Sequence, residues 1–258
     1  LRTTIRKVEA LFPEDAAAAT RTERRVRKQL ARLRRRAGKV RDVDVHRHVL
    51  AGLDVDGAAA TAREVVTDAL AKARAKREKK LVRTLGEERD RGIVKRLREV
   101  VGSAVVAPHA HDEGRVLAAV IDDFAQALAE AAPLGAETLH DFRIRTKRLR
   151  YVAESALPGA NAARAVAELK RVQDAIGGWH DWMTLIERAR KALGDREGAA
   201  LLAAIGARAE ADLAKALAAT ARADERLRAL GAAARRKGAH PVGSDRATPA
   251  LGRAGASA

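Results

Sequence analysis

The sequence contains no cysteine, and only six of its 258 residues are aromatic. Without cysteine the chain can form neither a disulfide framework nor a thiolate metal site, which fits a reducing compartment. The core must therefore be built from alanine and aliphatic side chains. No apolar run approaches the roughly 20 residues of a membrane-spanning helix, and the first residues do not resemble a secretory signal. These absences predict a cytoplasmic protein.

What the chain does contain is typical of helices. Alanine, leucine, arginine, glutamate and lysine dominate, as expected of long helices. No alternating run of β-branched residues indicates a strand. We therefore predict an all-α fold.

The charge is strongly one-sided, with 51 lysines and arginines against 34 aspartates and glutamates, a formal net charge of +17. Such a charge costs self-repulsion unless an anionic partner offsets it, which predicts a polyanion as the partner. Residues 1–101 carry 28 basic and 15 acidic residues. The first part of the chain is therefore expected to hold more of the anion.

A helix predicted from Thr138, with Asp141 three residues later as its opening signature, ends before Pro158. At about 100° per residue its basic side chains fall on one stripe and its apolar side chains on the other side. The stripe consists of His140, Arg143, Lys147 and Arg150. No acid interrupts it between Arg143 and Arg150, and like charges at this spacing repel, so an anion is expected to lie against it.

A second basic stripe lies on a helix predicted over residues 16–37, where it comprises Arg21, Arg24, Lys28, Arg32 and Arg35. Gly38 is predicted to end this helix and Asp42 to cap the next one. Further helices are predicted over residues 58–85, 93–101, 116–132 and 201–230. Gly86 and Gly92 are predicted to interrupt the chain before residue 93, and Pro133 and Gly135 to interrupt it after residue 132. A helix over 162–176 is predicted to end at Gly177 and Gly178, and another to begin at Trp179.

The chain also contains an internal sequence repeat. Leu30 to Asp44 aligns without gaps with Leu169 to Met183, pairing Gly38 with Gly177 and Asp42 with Asp181. We interpret residues 1–101 and 113–231 as two related helical halves joined by a linker over 102–112, with a disordered basic tail over 232–258. By this alignment the first counterpart of His140 would precede Leu1, so we expect an upstream segment to be missing.

Two motifs carry a family resemblance: His140-Asp-Phe-Arg-Ile-Arg-Thr-Lys-Arg-Leu-Arg150, and Gly38-Lys-Val-Arg-Asp-Val-Asp-Val45 with its echo at Gly177 to Met183. With them the sequence resembles the conserved histidine α-helical domain (CHAD) family. The resemblance implies two pseudo-symmetric helical bundles around a basic central cavity that binds inorganic polyphosphate, in a protein associated with polyphosphate granules. Some members carry a fused triphosphate-hydrolysing tunnel domain, whose Glu-x-Glu-x-Lys motif does not occur here.

Polyphosphate has no bases to read, so its binder needs arginine and lysine rather than stacking aromatics. The candidate ligands from both halves are His140, Arg143, Lys147, Arg150, Arg6, Arg24, Lys28, Arg32, Arg35 and Arg171. Lys76, Arg83, Arg208 and Lys215 are further candidates, for which a solvated face is an equal interpretation. His140 could instead cap its helix. No catalytic residue, metal ligand or cofactor is predicted, although divalent cations can accompany the polyanion as counterions.

Two other functions stay open. The charge suits nucleic acid equally well, although few aromatics lie near the basic helices and no helix-turn-helix or zinc-finger spacing occurs. A metal-dependent phosphohydrolase could use His46 and His48, His109 and His111, or His180 and Asp181. Histidines two apart on a helix point to different faces, which disfavours this enzyme. We therefore expect a binding protein rather than an enzyme.

Overall fold

The computed structural model describes residues 4, 5, 8, 20–103, 113–156 and 159–238. Every regular element among them is an α-helix, which confirms the predicted fold class. In chain order the helices are α1 (Arg21–Ala51), α2 (Gly57–Asp90), α3 (Ile93–Ser103), α4 (Glu113–Glu130), α5 (Leu139–Ala156), α6 (Ala160–Leu193) and α7 (Ala199–Gly238).

Helix α1 begins at a capping box that the sequence prediction missed. The Thr20 hydroxyl accepts a hydrogen bond from the Glu23 amide at 3.2 Å, and the Glu23 carboxylate accepts one from the Thr20 amide at 2.6 Å. Two amides without intrahelical partners are thereby satisfied. The helix therefore begins five residues later than the predicted start at residue 16.

The prediction that glycines interrupt the long helices is confirmed at Gly92, which lies between α2 and α3 with φ +72°, and is wrong at four other glycines. Helix α1 continues through Gly38, α2 through Gly86, and α6 through Gly177 and Gly178, so Asp42 lies inside α1 and caps nothing. A glycine inside a helix costs about 1 kcal/mol, which packing on both sides of it can outweigh. Around Gly177 that packing is provided by the buried side chains of Ile176 and Trp179.

The break before α5 agrees with the prediction more closely. Ala131 to Thr138 separates α4 from α5, and it contains the predicted Pro133 and Gly135. The Thr138 hydroxyl accepts a hydrogen bond from the Gly135 amide at 3.1 Å. Its side chain therefore secures the loop, while its carbonyl accepts the first helical bond, from Phe142 at 3.1 Å.

Three apolar clusters hold the helices together. The first joins α1 to α3 through Val26, Leu30, Leu33, Ile93 and Val100, with Ile5 added from the described residues before α1. The third packs α4, α5, α6 and α7 around residues such as Phe124 and Phe142, whose ring centroids are 5.6 Å apart.

The middle cluster takes residues from both predicted halves. It joins Val43 of α1 and Leu70 of α2 to Trp182 of α6 and Ile205 of α7. The two halves therefore share one apolar core where α1 and α2 meet α6 and α7. This shared core fixes the relative positions of the basic side chains described below.

Two stretches that were predicted to be irregular begin within helices. Helix α3 includes Gly102 and Ser103, and α7 continues to Gly238, through the first part of the predicted tail. Residues 232–234 are alanines, which have the highest helix propensity, so they extend α7. Residues 104–112 and 239–258 lie outside the described residues.

Candidate anion-binding site

A cavity of about 580 Å³ lies between α1, α2 and α6. Five of its lining residues are apolar, and the others are all basic. The basic residues are Arg36, Lys39, Lys76, Arg77, Lys80, Arg188 and Lys191. We call these seven side chains the basic cluster.

The cavity exists because the middle of α2 is not packed against a core. Leu70 is buried in the middle cluster and Thr84 is buried further along, but no residue from Ala71 to Arg83 is buried. A helix with a polar face along this length needs no apolar neighbour there. The stretch therefore passes beside α1 and α6 and leaves an open space lined by its basic side chains.

The side chains of the basic cluster have no ion-pair partners among the described residues. Within the described part of the chain, no ion pair joins any of the seven to a carboxylate. Ion pairs do form at Arg32, Arg74, Arg83, Arg89, Arg91, Arg145, Arg150, Lys170, Arg171, Lys215, Arg226 and Arg228. Other basic side chains of the described residues, such as Lys72 and Lys95, also form no ion pair, but at this cavity seven such side chains line one space.

Arg188 is the most constrained member of the cluster. One of its terminal nitrogens, Nη1, is buried without a hydrogen-bond partner. Burial, and then the neighbouring positive charge of Arg77, lowers the pKa of Arg188 below its ordinary value. Arg77 is held close by donating a hydrogen bond to the Lys39 carbonyl at 2.8 Å. An anion in the cavity would supply the missing acceptor and relieve the repulsion.

A second polar group lies where α5 crosses α6. The rings of His140 and His180 are 5.6 Å apart between centroids. Burial lowers the pKa of His180, and the charges of Arg143 and His140 lower it further. The Arg143 Nε is buried without a hydrogen-bond partner, and its Nη2 lies 3.6 Å from where a Cβ on Gly177 would be. The guanidinium therefore lies close to the α6 backbone at Gly177.

Asp42 lies near members of both basic groups. Asp42 is close enough to His180, Asp181 and Arg188 to interact electrostatically with all three. Burial raises the pKa of Asp181 despite the opposing charges of Arg143 and Arg41. Asp42 and Asp181, which the internal alignment pairs, are therefore neighbours where α1 approaches α6.

The candidate ligands predicted from the sequence are dispersed rather than gathered in one place. Lys76 lines the cavity, and with Lys80 it also lines an adjoining depression of about 450 Å³ that includes Arg83. Arg24, Lys28 and Arg35 are exposed on α1. Arg6 lies outside the described residues.

Several other candidates already have partners within the protein. Arg32 forms ion pairs with Glu87 at 2.7 Å and with buried Glu88 at 2.9 Å, so it joins α1 to α2. The remaining pairings are Arg150 with Glu154 and the Tyr151 ring, Arg171 with Glu168, Arg208 with the Trp182 ring, and Lys215 with Asp212. Lys147 also has an interaction within the protein.

Six members of the basic cluster were missed by the sequence prediction: Arg36, Lys39, Arg77, Lys80, Arg188 and Lys191. The sequence did contain a periodic pattern that indicates some of these residues. Residues 66, 69, 70, 73, 76, 77 and 80 follow one helical stripe, which periodicity would have found. The predicted breaks at Gly38 and Gly177 separated Lys39 and Arg188 from the helices to which they belong.

The histidine pairs considered as metal ligands do not form a centre among the described residues. His46 is buried, whereas His48, two residues later, is exposed. No group of three or more histidine, cysteine, aspartate or glutamate side chains in the described ranges is placed to hold a metal ion. His109 and His111 lie outside these ranges. A search of the same residues finds no helix with the length and apolar character needed to span a membrane.

Comparison with protein-family models gives a match to the CHAD domain over residues 1–190. Searches of curated proteins and of solved structures find no significant match. The matched region contains all of the cavity lining except Lys191 and Ala192. It also contains His140, Arg143 and His180. Because the match covers well over half of the sequence, the chain belongs to the CHAD domain family.

Proposed function

We propose that this protein binds inorganic polyphosphate at the basic cluster, without hydrolysing it. The observation that carries the proposal is the concentration of seven basic side chains, none paired with a carboxylate in the described residues, around one cavity. The association of the CHAD domain family with polyphosphate binding supports it.

The chemistry of the cluster suits a flexible chain of phosphates. Arg36, Arg77 and Arg188 can each offer paired N–H groups to phosphate oxygens, whereas the lysines act as mobile point charges. The cluster includes no aromatic side chain on which a base could stack. Polyphosphate is therefore favoured over single-stranded nucleic acid as the polymer bound there.

A long polyphosphate would extend beyond the cavity. One route follows α2 through the adjoining depression past Lys79 and Arg83. Another leads toward Arg143 and His140, which lie beside Gly177 and His180 of α6. Divalent cations would accompany the remaining phosphate charges. Binding of this kind would place the protein on polyphosphate granules in the cytoplasm.

Salt dependence and competition test the proposal together. Affinity for long-chain polyphosphate is expected to fall steeply as salt rises, because binding releases counterions. Duplex DNA and RNA at equal phosphate concentration are expected to displace little of the bound polyphosphate. An affinity that barely changes with salt would contradict the electrostatic mechanism. Efficient displacement by DNA or RNA would instead assign the site to nucleic acid, and phosphate release with added divalent metal would identify an enzyme.

A further inference from the structure

The wall that α2 contributes to the cavity changes character along its length. Its lining residues are first apolar, at Val66, Ala69, Leu70 and Ala73, and then basic, at Lys76, Arg77 and Lys80. All seven share one helical face by their spacing. At about 1.5 Å per residue, this face extends for roughly 21 Å.

The other helices continue the basic end. Arg77 donates a hydrogen bond to the Lys39 carbonyl of α1. It also lies close enough to Arg188 of α6 to lower the pKa of Arg188, although burial lowers that pKa more. Residues from three helices therefore meet around Arg77. We call Arg36, Lys39, Lys76, Arg77, Lys80 and Arg188 the basic end of the cavity. Lys191, the seventh member of the basic cluster, follows Arg188 by about one turn of α6 and directly precedes Ala192. The apolar end consists of the four α2 residues before Lys76 together with Ala192.

The apolar end has surface that polyphosphate cannot use. Val66 and Leu70 are buried in the middle cluster, whereas Ala69, Ala73 and Ala192 are only partly buried and line the cavity. Every unit of inorganic polyphosphate carries a charge, so a phosphate placed against these alanines would lose hydration without gaining a donor. An uncharged organic group placed there would gain from the release of water.

We infer that the cavity accepts an oligophosphate esterified to an uncharged organic group, such as a nucleoside oligophosphate. The phosphates would lie among the side chains of the basic end, and the nucleoside would cover Ala69, Ala73 and Ala192. A volume of about 580 Å³ lies within the range of small-molecule sites. This inference rests on the proposed function of the basic end, and it adds a class of small ligand to that function.

The lining also predicts how selective the site is. The side chains of the apolar end have no hydrogen-bond donor or acceptor with which to read the edge of a base. Adenosine, guanosine and uridine triphosphates are therefore expected to bind with similar affinities. Discrimination would be between molecules with and without an organic group, rather than between bases.

The test compares adenosine triphosphate with inorganic tripolyphosphate by isothermal titration calorimetry at one ionic strength. The two ligands have the same number of phosphates, and the inorganic one carries at least as much charge. A tighter affinity for adenosine triphosphate must therefore come from its organic group. We expect an advantage of about tenfold or more from the apolar contact. Equal affinities would overturn the inference.

A substitution at the apolar end tests whether the organic group binds there. Ala73→Gln places a polar side chain at the apolar end and keeps a strong helix former. It is expected to remove most of the advantage of adenosine triphosphate and to leave the affinity for tripolyphosphate within about twofold. The matched control is Ala75→Gln, two residues along the same helix at an exposed position outside the cavity lining. It should bind both ligands like the parent. An advantage that survives in Ala73→Gln would place the organic group elsewhere and overturn the inference.

The outcomes separate this inference from the proposed function. Binding of long polyphosphate and tripolyphosphate with no advantage for adenosine triphosphate would refute only the amphiphilic ligand. Failure of long polyphosphate to bind would refute the proposed function, and with it the assignment of the basic end. Circular dichroism of each variant checks that the helices are retained.

Discussion

His46 of α1 is joined to Thr184 of α6 by a hydrogen bond of 2.8 Å between Nε2 and Oγ1. The single hydroxyl hydrogen of Thr184 is directed at the carbonyls of His180 and Asp181, at 3.0 and 3.2 Å. The Thr184 oxygen must therefore accept from Nε2–H of His46. This leaves Nδ1 as an acceptor, buried and without a partner. A neutral histidine thus links the two long helices beside Arg77 and Arg188.

The pH dependence of stability follows from this neutral histidine. Burial first, and then the charges of Arg188 and Arg77, lower the pKa of His46 to about 4 from an ordinary 6.5. As pH falls, the unfolded chain binds the proton first, so the free energy of unfolding should fall between about pH 6.5 and 4. The loss due to His46 should total roughly 3 kcal/mol. Urea unfolding at a series of pH values measures it.

His46→Gln keeps a donor for Thr184 but cannot titrate. It should show a much smaller loss of stability over the same pH range. Some pH dependence should remain, because burial also lowers the pKa of His180. An identical pH dependence in the parent and in His46→Gln would contradict the assignment of His46 as a buried neutral group.

Arg32 is predicted to stabilise the fold rather than to bind the anion. Removing its side chain by Arg32→Ala leaves Glu88, which is 1% exposed, with one ion-pair partner fewer. The free energy of unfolding should fall by about 3 kcal/mol, while polyphosphate affinity below the unfolding transition stays near that of the parent. Arg35→Ala, at an exposed position on the same helix, should cost far less stability. A large loss of affinity with little loss of stability in Arg32→Ala would reverse this assignment.

Substitution by alanine should have opposite effects on stability at two glycines, one within α6 and one directly after it. At Gly177 a Cβ would meet its nearest neighbour at 3.6 Å, an ordinary contact, so Gly177→Ala should stabilise by about 0.5–1 kcal/mol through helix propensity. Gly194, directly after α6, has φ +57° and ψ −125°, a conformation that strains any residue with a Cβ, so Gly194→Ala should lower the free energy of unfolding by about 1–3 kcal/mol. Urea unfolding of both variants tests the signs. A destabilised Gly177→Ala protein would mean that Arg143 needs the space above the backbone.

The length of the polyphosphate should distinguish binding at the cavity from binding at the basic stripe on α5. Arg143→Ala/Lys147→Ala removes two positive charges outside the cavity lining. A tripolyphosphate held among the basic cluster should bind this variant almost as well as the parent. Long-chain polyphosphate, which can reach α5, should bind at least about fivefold more weakly. Equal effects on the two ligands would mean that a long chain does not extend from the cavity to α5.

The sequence predicted the class of fold and much of α4 and α5, because periodicity and the Pro133 loop are local signals. It failed at Gly38, Gly86 and Gly177 because whether a glycine ends a helix depends on packing that only the folded chain provides. The opposite error occurred at Thr20, where the local motif Thr-Arg-Thr-Glu was present but not used.

The candidate site shows a different limit of sequence analysis. A stripe of basic residues defines one face of a helix but not what that face meets. Arg32 meets two carboxylates of α2, whereas Lys76 and Lys80 of α2 face open space. Which arginines and lysines remain without acidic partners depends on contacts between distant segments, and these were not available from a single sequence.

The most direct test of the central claim compares two double variants that remove the same charge. Lys76→Gln/Lys80→Gln removes two members of the basic cluster, whereas Lys72→Gln/Lys95→Gln removes two exposed lysines outside the cavity lining. At fixed salt, the first variant should bind polyphosphate about tenfold more weakly than the second and show a shallower salt dependence. Equal affinities of the two variants would mean that net charge alone attracts the polyanion, and would contradict binding at the cavity.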